Sequence, residues 1–104
     1  LLLLGLVGLL LAAGAVLYTP DLDRRVLEER YGVGPGDYRE VAGVRLHLRV
    51  EGPAEGPALV LIHGFGASLQ TWDAWAAGLA DQYRVIRFDL PGFGLTGPDP
   101  TGDY

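Results

Sequence analysis

Five apolar residues, Ala58-Leu59-Val60-Leu61-Ile62, run directly into His63-Gly64-Phe65-Gly66. This junction constrains the chain more than any other stretch. Five apolar residues match the length of a strand, and two glycines within three residues interrupt it. Beyond the turn, Trp72, Trp75, Ala76 and Leu79 fall at i, i+3, i+4 and i+7, one face of a helix. Ser68 or Thr71 stands where its cap belongs. Val85-Ile86-Arg87-Phe88-Asp89-Leu90 reads as the next strand. Strand, glycine turn, helix and strand make a βαβ unit with a right-handed crossover. The first run lacks polar alternation, so it is expected to be covered on both faces in a parallel sheet. The tryptophans are expected to pack against that sheet.

A hairpin precedes the unit. Residues 38–41 read as a short strand, Ala42-Gly43 as a turn and residues 44–51 as a longer strand. Val44, Leu46, Leu48 and Val50 alternate with Arg45, His47, Arg49 and Glu51, which puts the aliphatics on one face. His47 is accordingly expected at the surface. Residues 52–57 form a loop, and residues 91–100 form a long turn region rich in Gly and Pro.

The first part of the chain is different in kind. Residues 1–18 carry no charge and are mostly Leu, with Gly, Ala and Val. As a helix they would span about 27 Å, close to the hydrocarbon thickness of a bilayer. The expectation is a transmembrane helix that anchors the protein in a lipid bilayer. A cleaved signal peptide is the alternative, because Ala13-Gly14-Ala15 fits a small-x-small cleavage pattern. The side of the membrane stays open, or secreted or periplasmic if cleaved. Residues 19–36 follow as a juxtamembrane helix and linker. Thr19 is the expected cap, with Pro20 at the first helical position, Asp21 and Asp23 in the first turn, and Gly32 as the stop. Val33-Gly34-Pro35-Gly36 reads as a hinge, and residues 37–104 as an incomplete globular domain.

Several functions are excluded or weakened. Net charge is −5 and all eight basic residues are Arg, with no basic patch to attract nucleic acid. No Cys is present and the two histidines are far apart, so no metal site is expected. Gly64-Phe65-Gly66 with Asp89 further on imitates a dinucleotide fingerprint, but Leu69 stands where a third small residue is wanted. Gly66-Ala67-Ser68-Leu69-Gln70 imitates a nucleophile elbow, but Gln70 replaces its last glycine and Ser68 lies too far past the strand. What remains is an oxyanion loop, in which backbone N–H groups are aimed at a developing alkoxide.

The order of hairpin, apolar strand, His63-Gly64-Phe65-Gly66, Trp-bearing helix, strand and Asp89-Leu90-Pro91-Gly92-Phe93-Gly94 resembles the front of an α/β-hydrolase. The resemblance covers roughly residues 38–104. The apolar first segment is similar to that of membrane-anchored members. The resemblance implies an α/β fold with an antiparallel hairpin leading into a parallel βαβ unit. It implies hydrolysis of an ester or related small apolar substrate with no cofactor. The Phe65 N–H would be one oxyanion donor and His63 would brace the loop. Asp89, Pro91, Gly92 and Gly94 would fix the rim of the pocket. Leu95-Thr96 departs from the Ser that many members carry. The family's nucleophile, acid and base have no counterpart in these residues, so the stretch reads as a fragment, inactive alone, with its apolar strand lacking a neighbour. A non-catalytic binding module is the alternative, and dehalogenase or epoxide-hydrolase chemistry is a further one.

Overall fold

The structure is a computed structural model that describes residues 1–32, 34 and 37–104. The first element, α1 (Leu2–Leu17), is a helix of 16 residues with every side chain exposed. It spans about 24 Å, short of the roughly 30 Å of a bilayer's hydrocarbon. No helix among the described residues is long and apolar enough to cross a membrane. Where a transmembrane helix over residues 1–18 was expected, the structure describes an apolar helix over Leu2–Leu17, which does not by itself support a full span. At its C-terminal end Tyr18 turns extended, at φ −68° and ψ 115°. Pro20 follows two residues on and disfavours helical backbone at Thr19.

The second helix, α2 (Arg24–Tyr31), begins later than Thr19-Pro20 leads one to expect. Its cap is Asp23, whose carboxylate accepts a 2.8 Å hydrogen bond from the Arg25 N–H. Asp21 therefore lies outside the helix. Gly32 ends it, as expected. Three residues of the expected hinge, Val33, Pro35 and Gly36, lie outside the described residues.

The hairpin forms with β1 (Tyr38–Val41) and β2 (Val44–Glu51) paired antiparallel, Val41 opposite Val44. Ala42 and Gly43 both take positive φ, the conformation of a tight hairpin turn. Then β3 (Ala58–Ile62) leads through a 3-10 turn (Leu69–Trp72) and α3 (Asp73–Leu79) to β4 (Arg84–Phe88). β3 and β4 pair in parallel, while β4 pairs antiparallel with β2. Among the described residues the sheet runs β1-β2-β4-β3.

Two expectations about burial fail. β3 is not covered on both faces: it lies at an edge, and Val60 and Ile62 are about half exposed, at 51% and 54%. Trp75 is also exposed, and the buried residues of that crossover are Leu69 and Ala76. Leu69 and Ala76 take the buried positions, whereas the larger indole of Trp75 stands edge-on to Trp72.

The core is half polar. Val44, Leu69, Ala76, Val85 and Leu95 are buried, and so are His47, His63, Arg87, Asp89 and Thr96. Buried polar groups are tolerable only when bonded, so the hydrogen bonds locate the elements as much as apolar contact does. Arg87 donates twice to Glu51, at 2.8 and 2.9 Å, and also to Asp73 and the Leu69 carbonyl. Burial alone would lower its pKa, but the Glu51 and Asp73 carboxylates raise it. The guanidinium thus ties the crossover to the central strand.

Candidate functional site

Because β3 and β4 are parallel, their C-terminal ends open on one side, and the loops leaving them stand together. Ends of this kind are where open α/β sheets gather ligands. His63 joins the two. The Leu90 N–H donates to its Nε2 at 2.9 Å, so the ring proton sits on Nδ1 and is donated to the Gly64 carbonyl at 2.8 Å. The His63 ring also meets Phe93 edge-on, at 5.6 Å between centroids.

The first loop turns tightly. The Ala67 N–H donates to the Gly64 carbonyl at 3.2 Å, and Gly66 takes φ +69°. A glycine at that third position is what such a turn requires. Phe65 sits at the tip, 98% exposed, with its ring edge-on to Phe93 at 5.8 Å. Its N–H has no acceptor among the described residues. A Cβ added to Gly64 or Gly66 would meet nothing within 4 Å.

The second loop is closed on itself. The Gly92 N–H donates to the Gly97 carbonyl at 2.9 Å, and the Phe93 N–H to the Leu90 carbonyl at 2.9 Å. Pro91 opens this turn. Gly92 and Gly94 both have positive φ, at +81° and +51°. Gly94 has a second constraint: a Cβ there would lie 2.2 Å from Asp89 Oδ2.

Asp89 sits between the loops. Its Oδ1 accepts from the Leu69 N–H at 2.7 Å, and its Oδ2 from the Leu95 N–H at 2.9 Å and His47 Nδ1 at 2.8 Å. Burial pushes this carboxyl's pKa up, yet the bonds from His47, Leu69 and Leu95 prevail and hold it below the usual carboxylate range.

His47 is the largest correction to the sequence reading. It is fully buried, not a surface residue. Its own N–H donates to Thr96 Oγ1 at 2.9 Å, and its carbonyl accepts from the Asp89 N–H at 2.9 Å. Thr96, read from sequence as a mere departure from a family Ser, is buried with it. Alternation along β2 counts only neighbours in the chain. The cover here comes from a loop 49 residues away. A histidine among three charged residues on an otherwise polar face was the one available hint.

Ser68 stands at the cap of the 3-10 turn but makes no side-chain cap bond. Its hydroxyl donates instead to Gln70 Oε1 at 2.6 Å. An amide oxygen cannot activate it as a nucleophile. From the other side, α2 reaches the second loop, where Arg24 Nη1 donates to the Leu95 carbonyl at 3.2 Å. Glu28 of the same helix pairs with Arg45 at 2.7 Å. The assembled geometry offers a backbone donor without an acceptor among the described residues, on an exposed braced turn, with both histidines engaged in holding loops.

The sequence pattern of the family described as the alpha/beta hydrolase fold matches residues 57–104. The globular part of this chain belongs to the α/β-hydrolase superfamily. A membrane phospholipase A, described as a bacterial virulence factor, superimposes at TM-score 0.62 with 34% identity, over 99% of this chain and 34% of that one. The probable oxidoreductase EphD of Mycobacterium tuberculosis is 40% identical over 63 residues, 60% of this chain and 11% of that protein. A pimeloyl-(acyl-carrier protein) methyl ester esterase of Aeromonas hydrophila is 45% identical over 49 residues, 47% of this chain and 19% of that protein. The chain therefore spans about a third or less of the proteins it matches.

Proposed function

We propose that the whole protein is a hydrolase acting on an ester or a related small apolar substrate, with the Phe65 N–H as one oxyanion donor. The observation that carries this reading is the Phe65 N–H, without an acceptor among the described residues, on an exposed turn that His63 braces. A donor held in place before the reaction stabilises the developing alkoxide without reorganising. Gly64 and Gly66 leave room for a substrate carbonyl, and Phe65 and Phe93 form an apolar wall beside it. Asp89, Pro91, Gly92 and Gly94 hold the neighbouring rim. The methyl ester esterase among the relatives supports ester chemistry.

No G-x-S-x-G occurs in the 104 residues. The nucleophile, acid and base are assigned to other parts of the whole protein, and these 104 residues alone are expected to be inactive. No metal or organic cofactor enters the reaction. Labelling the full-length protein with a fluorophosphonate tests the proposal, with the labelled residue mapped by mass spectrometry. A modified Ser in a G-x-S-x-G elbow is expected. An intact elbow that takes no label favours a binding module. An Asp at the elbow directs the chemistry to dehalogenation or epoxide opening.

Contact with lipid is a separate part of the proposal. It rests on α1, where Leu2, Leu3, Leu4, Leu9, Leu10 and Leu11 are all exposed. Full-length protein is expected in the membrane pellet after a carbonate wash, and recovery in the supernatant removes this part.

A further inference from the structure

The buried imidazole of His47 has no part in the proposed reaction, yet its placement is unusually constrained. Three bonds fix it: backbone to Thr96 Oγ1, carbonyl from the Asp89 N–H, and ring Nδ1 to Asp89 Oδ2. Its other ring nitrogen, Nε2, is buried with no hydrogen-bond partner among the described residues. A buried polar atom left bare costs stability, so an apolar side chain would fill this space at less cost. What an apolar side chain cannot supply is the Nδ1 donor.

That donor has a particular recipient. Among the described residues Asp89 takes three hydrogen bonds, two from backbone N–H groups and one from a side chain, His47. The backbone donors belong to the two loops: Leu69 follows the turn that carries Phe65, and Leu95 follows Gly94. The carboxylate can hold both only in one rotation. His47, on strand β2, supplies the one side-chain donor to that carboxylate among the described residues.

We propose that His47 is a positioning residue: by donating to Asp89 it orients the carboxylate that registers the Phe65 turn against the second loop, and so aims the oxyanion donor. The inference rests on the hydrolase reading for its effect on turnover, but its structural half stands apart. Small errors of aim are costly in catalysis, where a displacement of about 1 Å removes about a hundredfold in rate.

Two substitutions in the full-length protein separate donation from volume. His47→Asn places an amide N–H near the position of Nδ1, whereas His47→Leu fills space and donates nothing. With p-nitrophenyl butyrate as the probe, His47→Leu is expected to lower kcat about tenfold or more, with KM within about twofold. His47→Asn is expected to stay within about threefold of the native kcat. Rates are taken per active site, counted by fluorophosphonate titration, so partial unfolding does not imitate the effect. Equal loss in both variants means that His47 acts by packing alone and overturns the proposal. A loss carried by KM overturns it as well. Amide hydrogen exchange supplies the second readout: His47→Leu should speed exchange at Leu69 and Leu95, and His47→Asn should not. Native protein that leaves the ester untouched defeats the hydrolase reading, and the exchange pattern then decides on His47 by itself.

Discussion

Two glycine loops leave the same end of the sheet, and they use glycine for opposite ends. Around Phe65 the glycines keep a surface open: nothing lies within 4 Å of where a Cβ would sit on Gly64 or Gly66. Around Phe93 they allow closure, since Gly94 admits the Asp89 carboxylate into space that a methyl group would occupy. Exposure follows the same division. Phe65 is 98% exposed, whereas Leu95 and Thr96 are buried. One loop presents a backbone donor and the other forms the support behind it. A run of glycines in a sequence states that backbone comes near something. It does not state whether that something is the protein or a ligand.

The sharpest way to break this contrast is to remove the support. Asp89→Ala leaves His47 Nδ1 and the N–H groups of Leu69 and Leu95 without their acceptor. A loss of about 3–5 kcal/mol is expected in urea unfolding of the full-length protein. Next comes Gly94→Ala, which combines a positive φ with a clash against a buried carboxylate. It should lose about 2–4 kcal/mol in the same measurement. A near-neutral result would mean that the second loop is not the rigid member of the pair.

Acid should act on the same support more gently. The Asp89 carboxyl has a pKa below its ordinary value in the folded protein. Its stabilisation is therefore complete above the unfolded value of about 4 and disappears as pH falls through the lower folded value. The urea midpoint should drop on acidification below about pH 4, and Asp89→Asn should flatten that portion of the curve. The smallest stability effect belongs to the open loop. Gly64→Ala should change unfolding by less than about 0.5 kcal/mol, yet lower ester turnover about tenfold by crowding the Phe65 N–H. Unchanged turnover would separate the turn from the reaction.

Much of the architecture was legible residue by residue. The hairpin limits at Tyr38–Val41 and Val44–Glu51 and the apolar strand Ala58–Ile62 emerged as read. Local pattern suffices there, because a strand's period and a turn's glycine are written within a few residues. The misreadings have two causes. Thr19-Pro20 resembled a cap, but the Asp23 carboxylate made the actual bond to Arg25. Trp75 fell on the apolar face of the helix pattern yet stands exposed. His47 fell on the polar face of its strand yet lies beneath the loop that carries Thr96. The cap was a local choice between two candidates, whereas the burial of Trp75 and of His47 depends on what approaches from elsewhere, and periodicity carries no information on that.

The sequence by itself determined the order of elements, the parallel βαβ unit and the two glycine loops at strand ends, because these follow from short-range sterics and apolar spacing. Tertiary structure alone decided which loop is open and which is the brace. That outcome depends on one carboxylate at the end of β4 collecting donors from β2 and from two loops, and no separation along the chain reveals which distant N–H groups will converge on a buried charge. The buried charge needs all of them, since desolvation would otherwise drive its pKa up, as happens to any carboxylate left bare in a core.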